Sequence, residues 1–193
     1  MFRDLLKQKL AGIVRLEPHQ IEALENHYQL LVRWNRALNL TSIESEDLMV
    51  ERHYCESVFA AKYLPDAAES VADVGSGAGF PGVPIAIMRS GCAVSLIESH
   101  QKKAAFLREA SRGLPNVRVV ARRAEDVEQR FEWVVSRAVR YSDIGETLKK
   151  LGNKAELLTG EVGPEGLPGF DWKEPIRLPW GERRYLWLGN RST

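Results

Sequence analysis

Asp73-Val74-Gly75-Ser76-Gly77-Ala78-Gly79-Phe80-Pro81-Gly82-Val83-Pro84 is the stretch from which the fold of this chain is read. It follows the short run Ser70-Val71-Ala72 and leads into an apolar segment ending at Met88, which is the order of a strand, a glycine-rich turn and a helix. Glycines at 75, 77 and 79 let the backbone turn sharply and lie close to a ligand, because no Cβ stands in the way. A dinucleotide fingerprint, Gly-x-Gly-x-x-Gly, needs its third glycine at position 80, where this chain has Phe80. Asp73 would also repel a pyrophosphate. An acid there suits a cationic ligand, such as the sulfonium and amino groups of S-adenosylmethionine. Glu98 ends the next apolar run, Ala93 to Glu98, where a carboxylate can accept both hydroxyls of a ribose. The competing reading is a turn that only packs, and Asp73 with Glu98 tips the balance to an S-adenosylmethionine pocket.

Outward from this stretch the pattern alternates. Strands are expected at 70–74, 93–98, 117–121, 132–137 and 155–159, and helices at 82–90, 101–113 and 142–150. Such alternation argues for a parallel sheet. The end differs: Asp171 to Pro179 and Arg183 to Leu188, joined through Trp180-Gly181, read as an antiparallel hairpin. The expected fold is therefore α/β: a Rossmann-like class I S-adenosylmethionine-dependent methyltransferase with a seven-stranded, mostly parallel sheet and a terminal antiparallel hairpin. Residues 1–66 read as an N-terminal helical extension and 67–193 as the donor-binding domain. In the extension, Pro18 opens a helix whose Ile21, Leu24, Tyr28, Leu31 and Leu38 mark one face. Trp34-Asn35 and Asn39-Leu40-Thr41 read as a polar break. Ser45, with Glu46 and Asp47, caps a second helix ending near Pro65. A loop is expected over 160–169, where Gly and Pro cluster.

Composition is that of a soluble globular protein, with 44% hydrophobic and 27% charged residues. Cys55 and Cys92 fit neither a disulfide framework nor a zinc set, and read as small core residues. The amphipathic start, broken by charge, does not read as a signal peptide. No metal is expected, and a cytoplasmic monomer is. The net charge of +1 hides a local excess: 101–140 holds ten basic against five acidic residues. Among the ten are Lys102, Lys103, Arg123, Arg137 and Arg140. Such a segment either forms a phosphate-contacting face or scatters over several solvated ones.

Ligands of open α/β sheets bind beyond the carboxyl ends of the strands. Here those ends are the glycine turn, Glu98, Arg122-Arg123-Ala124-Glu125-Asp126 and Ser136-Arg137-Ala138. Arg123-Ala124-Glu125 would sit beside an adenine, although Glu125 also fits a helix-opening acid on a solvated turn. Arg137 ends an apolar strand and needs an anionic or acceptor partner, either a ligand or a structural ion pair.

These residues resemble a known family, the guanine-N7 methyltransferases G of small-subunit ribosomal RNA, also called glucose-inhibited division protein B. The resemblance runs through most of 20–140. It is carried by Trp34-Asn35, Asn39-Leu40-Thr41, Glu51-Arg52-His53, Asp73 to Pro81, Glu98, Lys102-Lys103 with Phe106-Leu107, Arg123-Ala124-Glu125 and Ser136-Arg137-Ala138. It implies a methyl donor held by Gly75, Phe80, Ala124, Glu125 and Arg137, beside the Asp73, Gly77, Gly79 and Glu98 read above. It also implies a guanosine in a ribosomal RNA loop as acceptor, with the RNA or the ribosomal particle as partner. Arg52, His53, Lys102, Lys103 and Arg123 are the RNA-binding candidates, although a lone helical histidine is more often a packing or capping group. The chain departs from the family pattern at Glu56, where Asp is usual, and at Thr159-Gly160, where Lys-Gly is usual.

Methyl transfer from a sulfonium is an in-line displacement, so alignment is the main task. Guanine N7 offers a free lone pair and no proton need leave it. The fourth strand accordingly ends in Ser136-Arg137, not in the Asn/Asp-Pro-Pro-aromatic box of amine methylation or the Pro-Cys of cytosine C5 chemistry. Arg137 is expected to orient a base or hold the donor's carboxylate, with no general base. The other readings are a methyltransferase for a small molecule or protein, and a non-catalytic ribosome-binding module that keeps the fold.

Overall fold

The computed structural model describes residues 1–137, 141–164 and 167–192, with the side chains of 141–143 excepted. Ala138 and Arg140, singled out above, and residues 165 and 166 of the expected loop lie outside the described residues. Among the described residues eight strands form one sheet, seven in the order β3-β2-β1-β4-β5-β8-β6 and β7 pairing β8 off this path. They are β1 (Ser70–Val74), β2 (Ala93–Ile97), β3 (Val117–Val120), β4 (Phe131–Arg137), β5 (Gly152–Thr159), β6 (Phe170–Trp172), β7 (Ile176–Arg177) and β8 (Tyr185–Arg191). The first five run parallel, and β8 lies antiparallel to β5. Three helices alternate with the parallel strands: α5 (Gly82–Met88), α6 (Gln101–Ala110) and α7 (Tyr141–Leu151). The chain winds one way from β1 to β3, then crosses back to β4. The switch point thus falls between β1 and β4, where an open sheet offers its ligand crevice.

The expected hairpin is more broken than its sequence reads. β6 pairs with β8 at Trp172↔Gly189, and β7 pairs with the same strand at Ile176↔Leu186. Four steps on one side face three on the other, a one-residue bulge over 173–175. Pro175 lies in it and has no N–H to give to a ladder. The single strand read over 171–179 is therefore two short ones, and the count rises from seven to eight.

The first 64 residues build more helix than expected. Phe2, Leu6 and Leu10, at i, i+4 and i+8, bury one face of α1 (Phe2–Leu10). α2 (Pro18–Leu38) begins where Gln20 Oε1 accepts the Glu17 N–H at 2.9 Å, and it runs through Trp34-Asn35 instead of breaking there. It ends at Asn39, whose φ of 48° is left-handed, a conformation asparagine tolerates. α3 (Glu46–Met49), a π-helical turn (Val50–Cys55) and α4 (Glu56–Tyr63) follow as one continuous rod.

Two apolar layers sandwich the sheet. Phe2, Leu24, Tyr54 and Val58 share one core with Val71, Leu96, Trp133 and Val135. Ala72, Val74, Val134 and Leu157 point the other way, to Leu148 and Leu151 of α7. The alternation Trp133, Val134, Val135 follows from the two-residue period of a strand. Glu156, next to them on β5, is 1% exposed, and neither carboxylate oxygen has a hydrogen-bond partner among the described residues. Burial pushes its pKa well above the usual carboxylate range. Among the described residues no helix is long and apolar enough to cross a membrane.

Candidate active site

The glycine turn takes its shape from left-handed backbone. Gly75, Gly77 and Gly79 have φ of 72°, 57° and 90°, values that oppose any side chain with a Cβ. The Gly75 and Ser76 N–H groups both donate to the Ile97 carbonyl, at 3.0 and 3.1 Å, so β2 anchors the entry to the turn. Glu98 extends that anchor. Its Oε2 accepts the Gly77 N–H at 2.9 Å and its Oε1 accepts the His100 N–H at 2.8 Å. Each oxygen keeps a further lone pair, so the carboxylate can pin the turn and still receive a ribose hydroxyl. A Cβ at Gly77 would meet only the Gly75 carbonyl oxygen, at 3.8 Å, so one side of the turn faces open space.

Asp73 sits beneath the turn and not on its open side. It is wholly buried, and its Oδ2 accepts the Gly82 N–H at 3.0 Å. Gly82 is there because a Cβ would lie 2.6 Å from that oxygen. Asp73 Oδ1 has no hydrogen-bond partner among the described residues, and burial raises the pKa to about 7. The carboxyl therefore ties the start of α5 to β1.

Phe80 turns away from the open side as well. Its ring is stacked on His53 at 4.7 Å and meets His27 and Tyr54 edge-on at 5.1 and 5.0 Å. The Arg137 guanidinium lies over the same ring at 5.2 Å, within cation–π range. Arg137 Nη1 donates to the Arg52 carbonyl, and Nη2 contacts His53 Nδ1 at 2.7 Å. A guanidinium only donates, so His53 Nδ1 accepts and Nε2 carries the proton. That proton faces Thr41 Oγ1 at 2.7 Å. Thr41 is itself held by Asn35, which accepts its N–H at 2.8 Å and donates to its carbonyl at 3.0 Å. The polar pairs of α2 and the following loop thus converge on the end of β4. Burial, then the Arg137 charge, drives the His53 pKa down to about 3, so the ring is neutral.

The RNA-binding candidates divide. Lys102 and Arg123 are exposed and Lys103 is half-buried, at the start of α6 and beyond β3 on the glycine-turn side of the sheet. His53, 6% exposed, is turned inward and engaged by Arg137 and Thr41. Arg52 is also drawn in: it lies 3.4 Å from Glu56 and 3.7 Å from Glu51. Ala124 and Glu125 form a short 3₁₀ turn (Ala124–Asp126), with the Glu125 side chain exposed beside Arg123 at 3.4 Å. Its pKa is lowered, first by its own backbone N–H.

Several features of this site went unread in the sequence. Glu56, noted there only as a departure from the family pattern, is fully buried and receives Arg184 from the loop before β8, Nε at 2.9 Å and Nη2 at 2.6 Å. That fork ties the C-terminal strands to the helix carrying His53. His27 and Tyr54 also escaped notice. The one available signal was that position 27 falls on the apolar face of α2, three after Leu24.

A family model described as rRNA small subunit methyltransferase G matches residues 20–159. The ribosomal RNA small subunit methyltransferase G of Chromobacterium violaceum is 42% identical over 149 residues, 75% of this chain and 70% of that protein. That of Halorhodospira halophila is 40% identical over 143 residues, 72% of this chain and 68% of the relative. Among solved structures, an SAM-dependent methyltransferase from Aquifex aeolicus superposes with a TM-score of 0.60 at 14% identity. The match covers 75% of this chain and 93% of that one, a likeness of fold.

Proposed function

The chain belongs to the rRNA small subunit methyltransferase G family, and from that premise we propose that it methylates N7 of a guanosine in small-subunit (16S) ribosomal RNA. S-adenosylmethionine supplies the methyl group. The carrying observation is the open glycine turn pinned by Glu98 at the β1/β4 switch point, with Arg137 held at the end of the adjacent strand. In this reading Gly75, Gly77 and Gly79 give the donor close access to backbone, and Glu98 takes its ribose. Asp73 braces the turn from beneath through the Gly82 N–H. Ala124 and Glu125 border the adenine. Arg137, bonded to the Arg52 carbonyl and to His53 Nδ1, aligns the guanine or the donor carboxylate. No residue is required to remove a proton, since the N7 lone pair is free. The acceptor base enters from a loop, splayed from its stack, with Lys102, Lys103 and Arg123 meeting phosphates. The protein acts as a monomer in the cytoplasm, on RNA or an assembled particle. Mass mapping of 16S RNA from a deletion strain, before and after incubation with protein and donor, tests this. One guanosine gaining 14 mass units with N7 chemistry is expected; methylation only of a small molecule or protein overturns it.

Glu98→Ala is expected to weaken donor binding by about 1–3 kcal/mol, because the ribose bonds and the Gly77 anchor go together. Glu98→Gln is not expected to restore it. One of its amide atoms must face a backbone N–H, donor against donor, where the carboxylate accepts at both oxygens. Titration calorimetry with S-adenosylmethionine measures both. Full affinity in either variant would remove Glu98 from the donor site.

A further inference from the structure

His27 lies mid-way along α2 on the face that packs towards the sheet, and is 3% exposed. Its Nε2 is 3.1 Å from the Ala78 carbonyl oxygen, and its Nδ1 is 2.8 Å from the Tyr54 hydroxyl. A carbonyl only accepts, so Nε2 carries the proton and Nδ1 accepts from Tyr54. A single neutral tautomer satisfies both contacts. Ala78 is the residue between Gly77 and Gly79. Gly79 presses on the same imidazole: a Cβ there would lie 3.2 Å from His27 Nε2 and 3.3 Å from Leu107 of α6.

A turn with three glycines is costly to hold in one shape, because glycine loses the most backbone freedom on ordering. Glu98 grips it from β2, at Gly77. The Ala78 carbonyl, directed into the protein, would be an unpaired buried acceptor without an N–H to meet it. His27 supplies that N–H from a helix that precedes the sheet by more than thirty residues. Tyr54, wholly buried and set edge-on to Phe2 at 4.9 Å and to Phe80 at 5.0 Å, fixes the tautomer from behind.

We propose that His27, backed by Tyr54, is a positioning residue of the donor-binding turn: the N-terminal helices set the shape in which residues 75–79 receive the methyl donor. The inference rests on the reading of this turn as the S-adenosylmethionine site, and adds the residue that shapes it. His27 touches neither donor nor acceptor and acts only through the Ala78 carbonyl and the Gly79 backbone.

The test uses the full chain with His27→Leu, His27→Gln and Tyr54→Phe. Three readouts are taken on each: the Kd for S-adenosylmethionine by calorimetry, the Kd for 16S RNA, and hydrogen exchange of the Gly79 and Phe80 amides. His27→Leu keeps an apolar filling but loses the donor, and is expected to raise the donor Kd about 10-fold or more while speeding exchange. RNA affinity is expected to stay unchanged. His27→Gln, whose amide can donate to the same carbonyl, is expected to return both readouts to within about threefold of the parent. Tyr54→Phe keeps the ring contacts and should fall between. A folded His27→Leu protein with parental donor Kd and exchange overturns the proposal. Should His27→Leu not fold, Tyr54→Phe decides, and unchanged donor Kd and exchange in it overturn the proposal equally. If the parent protein does not bind S-adenosylmethionine, the functional reading fails. The exchange rates of the turn then still decide whether His27 shapes it.

Discussion

Arg137→Ala is expected to lower turnover by about 100-fold or more while leaving the fold intact, since misplacing one reactant by an ångström can cost that much. The strand does not depend on this side chain: Val134 and Val135 beside it are fully buried in opposite apolar layers. What is lost is a planar fork bonded to the Arg52 carbonyl and His53 Nδ1 and lying over the Phe80 ring. Arg137→Lys is not expected to recover the rate. An ammonium is a point charge, and cannot bond the Arg52 carbonyl and His53 Nδ1 in one plane while lying over the Phe80 ring. Initial rates on RNA from a deletion strain, at saturating donor, measure the effect, with circular dichroism reporting the fold. A folded Arg137→Ala protein with near-parental rate and donor affinity would reduce Arg137 to a tie between β4 and the π-helical turn.

The second large effect is on stability in acid. Burial lowers the pKa of His27 to about 4, and burial with the Arg137 charge lowers that of His53 to about 3. Both values lie below the usual 6.5 for an unfolded histidine. A depressed histidine pKa contributes stability that is complete above 6.5 and is lost as the pH falls through the folded value. By pH 4.5 the pair is expected to cost the folded state roughly 5 kcal/mol relative to pH 7, an order-of-magnitude figure from that linkage. Asp73 and Glu156 work in the opposite direction. Their pKa values are raised by burial, to about 7 for Asp73, so their protonation favours the folded state as the pH falls. The histidine contribution is therefore isolated by difference. Urea unfolding of the parent and of a His27→Gln/His53→Gln variant at pH 7 and pH 4.5 gives that difference. Glutamine can donate and accept where each imidazole does, and does not titrate. The parent should lose several kcal/mol relative to the variant on acidification. A gap that stays constant between the two pH values would mean that the rings are solvated or already charged in the native protein.

The two predictions meet in one cluster. His53 stacks on Phe80 and holds Arg137, while His27 stands edge-on to Phe80 and holds Ala78. Protonating His53 sets a donor against the Arg137 guanidinium, which cannot accept, and protonating His27 obliges the Tyr54 hydroxyl to accept where it now donates. Activity is therefore expected to fail on the acid side together with stability.

The local signals on this chain could be read from its residues alone. The glycine turn is one, because left-handed backbone selects glycine whatever surrounds it. The alternation of strands and helices is another, and so is the placing of Glu98 and Arg137 at strand ends, since a parallel sheet puts all such ends on one edge. Asn35, Thr41, His53 and Arg137 were likewise singled out in the chain, but as separate motifs. That they form one relay depends on how α2 and the α3–α4 rod cross the sheet, a matter of packing between segments up to a hundred residues apart. Tertiary structure also decided directions. Asp73 and Phe80 sit in the turn that the sequence marks, but side chains of a sharp turn leave it on both sides, and these two leave on the buried one. Pro175 marks a break locally, but the register of the bulge that splits β6 from β7 is set by pairing with β8. His27, Tyr54 and Arg184 were silent in the sequence for the same reason, and Glu56 stood there without its partner. A polar residue on an apolar face carries no meaning until its partner arrives from elsewhere in the chain, and only the folded packing brings Ala78 to His27 and Arg184 to Glu56.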